Sequence, residues 1–306
     1  MIERILKEKI SLAKSRFADN EIEIFLKKDS LVGFVGFLPT KLFFENFAKH
    51  QNLSSKISAK NSDFQIFKSK KFSDIFKFPR TIRTLPNGKN NLNSQIFEGE
   101  VVKGFQIYKT PFAIKNTKKH HNTSQKELIF IETADLAKGW VEKENLEKLE
   151  NFDEEKFKEK DFSKLKIQNL KVKNFISLKQ TFSDFSKKWL ETKYLLGGKS
   201  LNGIDCSALT QNLFFELFGF LLPRNSFKQA EIFEEKNFEN REFLDLIFCK
   251  KKNTNFNHIV ICIDKNQIFE ASLSEKKVCF SDTENFLKKY DIIKVCDVRK
   301  IINKEN

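Results

Sequence analysis

A cysteine set at the mouth of a helix constrains this chain more than any other feature. The run Tyr194-Leu195-Leu196-Gly197-Gly198 leads through Gly203-Ile204-Asp205-Cys206-Ser207-Ala208-Leu209. Gly197, Gly198 and Gly203 interrupt regular structure ahead of the cysteine. Leu209, Leu213 and Leu217 then recur at helical spacing, and Gly219 stands where the helix should stop. A thiol at a helix N-terminus feels the positive end of the helix dipole, which favours the thiolate. Position alone does not make a nucleophile, because a single cysteine is usually a small buried hydrophobe. The reading therefore depends on partners.

A cysteine nucleophile needs a base, and the base needs an orienting group. Of the four histidines, His50, His120 and His121 lie in polar stretches, whereas His258 opens the β-branched run His258-Ile259-Val260-Ile261-Cys262-Ile263. A polar connection, Asp264-Lys265-Asn266, leads to a second strand, Gln267-Ile268-Phe269-Glu270-Ala271-Ser272. If those three residues form the loop, Ile263 faces Gln267 and Val260 faces Glu270, which puts Glu270 on the face of His258. A shorter turn would point it away. The longer loop is the expectation, with Glu270 accepting the imidazole N–H; Ser272, opposite His258 in that register, is the alternative.

Together these residues resemble the NlpC/p60 group of papain-like peptidoglycan endopeptidases. Its pattern is a Tyr-x-x-Gly-Gly segment, an Asp-Cys-Ser triplet at a helix start, Leu-Pro-Arg-x-Ser-x-x-Gln, Asp-Leu, a strand histidine and a third polar residue. The chain shows Tyr194, Gly197-Gly198, Asp205-Cys206-Ser207, Leu222-Pro223-Arg224-Asn225-Ser226-Phe227-Lys228-Gln229, Asp245-Leu246, His258 and Glu270, in that order. Four positions depart from the pattern. Leu196 replaces an aromatic residue, and Ala208 and Leu244 replace glycines, which reads as changed packing. Glu270 stands where histidine, asparagine or glutamine is usual. A carboxylate can still accept the imidazole hydrogen bond, and it would raise the histidine pKa.

The resemblance implies an α+β fold in which the cysteine helix packs on an antiparallel sheet. It implies hydrolysis of a murein stem peptide, commonly between γ-D-glutamate and a diamino acid. Cys206 would attack, His258 would carry the proton, Glu270 would orient the base, and the Cys206 N–H, with the Tyr194 hydroxyl, would meet the oxyanion. In relatives that recognise a free L-alanine terminus, residues matching Tyr194, Asp205 and Ser207 bind its ammonium group. For Asp205 a simple helix cap is an equal alternative. Arg224 is expected to pin the loop after the helix.

The remaining chain is less readable. Residues 1–85 begin with an amphipathic helix, Ile2, Ile5, Leu6, Ile10, Ala13 and Phe17, followed by strand-like runs at Glu21–Phe25 and Leu31–Leu38. The second run resembles a strand of a diverged SH3-like barrel. Residues 90–150, with alternating stretches such as Val101–Tyr108 and a closing Gly139-Trp140-Val141, resemble a bacterial SH3-like barrel, in which Trp140 is expected in the core. Residues 151–175 are expected to be a linker, and 176–306 the peptidase domain.

At 306 residues, two or three domains are expected. The formal charge is +14, from 55 Lys and Arg against 41 Asp and Glu, but the basic residues are dispersed and no nucleic-acid motif is present. Abundant Lys, Asn, Ile and Phe look like the product of AT-rich coding. Five cysteines without a Cys-x-x-Cys pair read as reduced thiols, with no disulfide framework, no metal site and no cofactor. The N-terminus lacks the pattern of a signal peptide and no run approaches transmembrane length. The expectation is a cytoplasmic enzyme recycling free murein peptides, with no nucleic-acid or membrane partner and an unassigned oligomeric state. The alternative is a catalytically inactive module of the same fold that binds murein peptide or a partner protein.

Overall fold

Helical and strand periodicities alternate along the N-terminal half, and the structure follows both. The computed structural model describes residues 2–17, 22–27, 30–51, 53–61, 64–80, 83–85, 88–109, 126–150, 175–254 and 257–298. The expected linker therefore lies, up to residue 174, outside the described residues, as do His120 and His121. The chain divides into two units, Met1–Ala134 with Lys138–Phe152, and Asp135–Ala137 with Asp153–Asn306.

The first unit opens with helix α1 (Ile2–Phe17), strands β1 (Glu23–Lys27) and β2 (Ser30–Phe37), helix α2 (Leu38–His50) and strand β3 (Ser54–Asn61). Strand β2 pairs antiparallel with β1 and parallel with β3, so α2 is a crossover between parallel strands. This corrects the diverged barrel expected over 1–85. The signal for α2 was present in Phe44, Phe47 and Ala48, which recur at helical spacing and are buried.

The unit continues with β4 (Gln65–Ser69), β5 (Ser73–Phe76), β6 (Leu92–Ile96), β7 (Val101–Lys109), β8 (Glu127–Glu132), β9 (Lys138–Glu142) and β10 (Leu146–Lys148). These form one seven-stranded sheet in the order β10-β4-β7-β8-β9-β5-β6. The boundary expected between residues 85 and 90 is thus not where the chain divides. Strands β4 and β5 bury Ile66, Phe67, Ile75 and Phe76, and they give β7 and β9 their second neighbours. Trp140 is a core residue. It is fully buried, lies edge-on to Phe130 at 5.2 Å between centroids, and donates its indole N–H to the carbonyl of Arg16 at 2.7 Å.

The second unit contains α3 (Phe175–Trp189), the short pair β11 (Lys199–Ser200) and β12 (Gly203–Ile204), α4 (Cys206–Phe218), α5 (Ser226–Ile232), and β13 (Glu235–Lys236). Then come β14 (Leu246–Lys251), β15 (Asn257–Cys262), β16 (Gln267–Ser272), β17 (Lys277–Asp282), α6 (Thr283–Lys289) and β18 (Tyr290–Cys296). The sheet order is β13-β18-β14-β15-β16-β17, with every pair antiparallel.

Helix α4 is the centre of this unit. Leu209, Leu213 and Leu217 are buried in one cluster with Ile259, Ile261 and Phe269 of the sheet. Each such leucine contributes about 1.5–3 kcal/mol by leaving water. Gly219 ends the helix with φ 68° and its N–H returns to Phe214 and Phe215.

The loop before α4 is shaped by close backbone approach. A Cβ at Gly198 would fall on the carbonyl of Gly203. We predict that Gly198→Ala destabilises this unit by about 1–3 kcal/mol, read as a lower midpoint in urea unfolding.

Candidate functional site

Cys206 is the first residue of α4, and Asp205 is its N-cap. The Asp205 backbone is extended and its Oδ1 accepts from the Ala208 N–H at 3.0 Å. The same carboxylate accepts from the Gly197 N–H at 2.8 Å, from Ser207 Oγ at 3.1 Å, and from both terminal nitrogens of Arg224 at 2.9 and 2.6 Å. Arg224 Nη1 also donates to Ser207 Oγ at 2.7 Å. Asp205 is therefore a cap and an ion-pair partner at once, and its charge is met within the chain. Burial pulls the Arg224 pKa down, but the charge and hydrogen bonds of Asp205 outweigh it, so the guanidinium is held more firmly than usual.

The rest of the Leu222–Gln229 segment is explained by the same neighbourhood. Gln229 is fully buried; it donates to the carbonyls of Ser207 at 2.9 Å and Pro223 at 2.8 Å, and accepts from Thr210 Oγ1 at 2.6 Å. Asp135, unremarked in the sequence, accepts from Lys199 Nζ at 3.0 Å and from Gln211 Nε2 at 3.1 Å.

His258 stands on β15 and is fully buried. Ile261 pairs with Phe269 and Cys262 with Ile268, and the Ile263 N–H donates to Gln267 at 3.0 Å. This is the register of the three-residue loop. His258 Nε2 lies 2.7 Å from Glu270 Oε2, which assigns that nitrogen as the donor to the carboxylate. Burial lowers the His258 pKa. The charge and hydrogen bonding of Cys206, followed by those of Glu270, more than reverse this and raise it to about 10. Burial also raises the Glu270 pKa, but the bonds from His258 and Ser281 and the imidazolium charge win, leaving it below the usual carboxylate range.

Three neighbours of this pair were not foreseen. Ser281 on β17 donates to Glu270 Oε1 at 2.6 Å. The Tyr290 ring lies 5.3 Å from the imidazole and stacks on Phe286 at 4.5 Å, so aromatic groups cover one face of His258. Strand alternation could have found Ser281, because Glu270 pairs with Cys279, two residues before it. Ser272, the alternative to Glu270, is buried; its hydroxyl lies 3.2 Å from that of Ser274.

Tyr194 is buried beside Cys206 and Asp205. Burial and their negative charge push its pKa up, so the phenol keeps its proton. Its Oη has no hydrogen-bond partner among the described residues. Asp245 is a structural residue; it accepts from the Glu242 and Val298 N–H groups and from Lys236 Nζ at 2.9 Å. Leu244 is more than a packing change. It keeps φ at 73°, the left-handed region that favours glycine. That conformation costs a leucine about 1–2 kcal/mol, which burial of its side chain, worth about 1.5–3 kcal/mol, offsets. No group of three or more His, Cys, Asp or Glu side chains among the described residues is placed to hold a metal ion. No helix there is long and apolar enough to cross a membrane.

The cysteine helix thus packs on an antiparallel sheet whose buried strand histidine is bonded to a carboxylate. Residues 191–296 match the NlpC/P60 family, and the chain carries an NlpC/P60 domain there. The chain is 34% identical over 114 residues to the murein DD-endopeptidase MepS/murein LD-carboxypeptidase of Escherichia coli K12, covering 37% of this chain and 60% of that protein. It is 36% identical over 88 residues to a probable endopeptidase NlpC homolog of Haemophilus influenzae, covering 29% of this chain and 46% of that protein. The chain thus spans less than two thirds of the length of these relatives. Among solved structures, NlpC2 from Trichomonas vaginalis aligns over 76% of this chain and 72% of its own at 13% identity, with a TM-score of 0.36.

The Asp205–Arg224 pair makes a testable demand. We predict that Arg224→Ala, which strands a buried carboxylate, costs about 3–5 kcal/mol in urea unfolding. Arg224→Lys should recover only part of this, because an ammonium cannot form the two-pronged contact.

Proposed function

We propose that the C-terminal domain is a cysteine peptidase that hydrolyses an amide bond of murein stem peptides. The observation that carries this is buried His258, bonded through Nε2 to Glu270 Oε2 at 2.7 Å and electrostatically coupled to Cys206 at the start of α4. The Cys206 sulfur attacks the carbonyl carbon, and the oxyanion is met by the Cys206 N–H at the helix start. The Tyr194 hydroxyl, protonated and without a hydrogen-bond partner among the described residues, is suited to the same oxygen. As the C–N bond breaks, His258 gives its proton to the leaving amine. It then takes a proton from the water that hydrolyses the thioester, which returns the sulfur to its starting state.

We further propose the γ-D-glutamyl–diamino acid bond as the one cut, in free peptides of a cytoplasmic recycling step. Recognition of a free L-alanine ammonium is the weakest element of that reading, because the Asp205 carboxylate already accepts five hydrogen bonds within the chain. The name of the Escherichia coli relative, a murein DD-endopeptidase and LD-carboxypeptidase, offers other bonds as alternatives. The binding-module reading rests on Glu270 alone. A carboxylate bonded to imidazole in this way supports the base, as an aspartate does in a serine triad.

The test is mass spectrometry of L-Ala-γ-D-Glu-meso-diaminopimelate and of intact sacculi, each with wild type and Cys206→Ala. Release of L-Ala-γ-D-Glu by wild type alone is the expected result. Digestion of sacculi without cleavage of the free peptide would overturn the recycling assignment, and inactivity of folded protein on both would favour the binding module.

The carboxylate also sets a pH signature. Its negative charge favours protonated His258, so activity that needs the imidazolium should persist toward the His258 pKa of about 10 and fall above it. Glu270→Gln removes that charge, and the alkaline limb of kcat/KM should move down by a unit or more, roughly the effect of one adjacent charge.

A further inference from the structure

Glu270 replaces the neutral side chains usual at its position, and a carboxylate brings a second oxygen that needs a donor. Oε2 is taken by His258 and Oε1 by Ser281 Oγ at 2.6 Å. The two donors approach from different strands, β15 and β17, on either side of β16. A glutamate has one more rotatable bond than an aspartate, so a single hydrogen bond to imidazole leaves its carboxylate free to swing. There is somewhere for it to swing. A cavity of about 660 Å³ opens beside it, lined by Glu270, Ser281, Cys279, Phe286 and Tyr290 among others. Water there competes for the carboxylate and would draw it off the imidazole.

We propose that Ser281 is a positioning residue of the Cys206–His258–Glu270 site: its hydroxyl clamps the Glu270 carboxylate so that Oε2 stays on His258 Nε2. The inference rests on the peptidase reading for its catalytic consequence, though not for the clamp itself. The titratable groups around the carboxylate include His258 on β15, Cys279 on β17, Cys249 on β14 and Tyr290 on β18, with Cys206 on α4 acting on the imidazole, and the cavity also carries Glu275, Lys277, Asp282 and Lys288. Ser272, on the same face of β16, lowers the Glu270 pKa less than Ser281 does. Among these groups, Cys279 and Tyr290 carry raised pKa values from burial and stay neutral near neutral pH, so they cannot replace the hydroxyl by charge.

The experiment compares Ser281→Thr with Ser281→Val. These side chains have nearly the same shape and both suit a strand, but only threonine keeps the hydroxyl. The readout is the titration of His258, followed by ring nitrogen NMR shifts in protein labelled at histidine and assigned with His258→Gln. In Ser281→Val the His258 midpoint should fall by at least half a unit, about threefold in the protonation constant, while Ser281→Thr stays near wild type. In peptide hydrolysis Ser281→Val should lose about tenfold in kcat with KM unchanged, since Ser281 acts through Glu270 and not on substrate. An unchanged midpoint in folded Ser281→Val overturns the proposal, as does an equal shift in both variants. Wild type that fails to cut peptide while the His258 midpoint still follows the hydroxyl supports the clamp and refutes the peptidase reading instead.

Discussion

One buried ion pair, Asp205 with Arg224, holds together the pieces that must meet at Cys206. The carboxylate caps α4, fastens the Gly197 loop and receives the guanidinium from the segment after the helix. It also solves an electrostatic problem. A bare carboxylate beside the cysteine would oppose negative charge on sulfur and cancel the field of the helix terminus. With Arg224 bound in two-pronged fashion, that charge is neutralised, and Arg224 itself is further stabilised by negative charge at Cys206. The helix terminus is left to act on the sulfur.

Around that anchor the sheet sets the base. Strands β15 and β16 fix His258 and Glu270 by register alone, and β17 and β18 close around them with Ser281 and Tyr290. The imidazole is fully buried, so its charge is decided by these few neighbours and not by bulk water.

Much of this was legible in the chain because the signals are local. The start and stop of α4 follow from Asp205 and Gly219, which act within a turn of the helix. The pairing of Glu270 with His258 follows from the length of one loop. What escaped reading depends on contacts between distant segments. Asp135 meets Lys199 and Gln211 across more than sixty positions of chain, whereas Ser281 follows from the β16–β17 register once Glu270 is placed. The φ of Leu244 is invisible in a sequence that has lost the glycine. In the N-terminal unit, strand-like composition up to Leu38 hid the turn into α2, and the short strands β4 and β5 gave no cue to the sheet they join.

The five cysteines differ in their chemical exposure to electrophiles. Burial raises the thiols of Cys249, Cys262, Cys279 and Cys296, with Cys262 and Cys296 pushed to about 12. Because alkylating agents attack the thiolate, burial slows the reaction of these four at neutral pH. The protein thus supplies its own low background. If Cys206 is the nucleophile proposed above, a mild electrophile would mark the tip of α4 in preference to the other four, which would make covalent probes, occupancy assays and fluorophore attachment possible without first removing them.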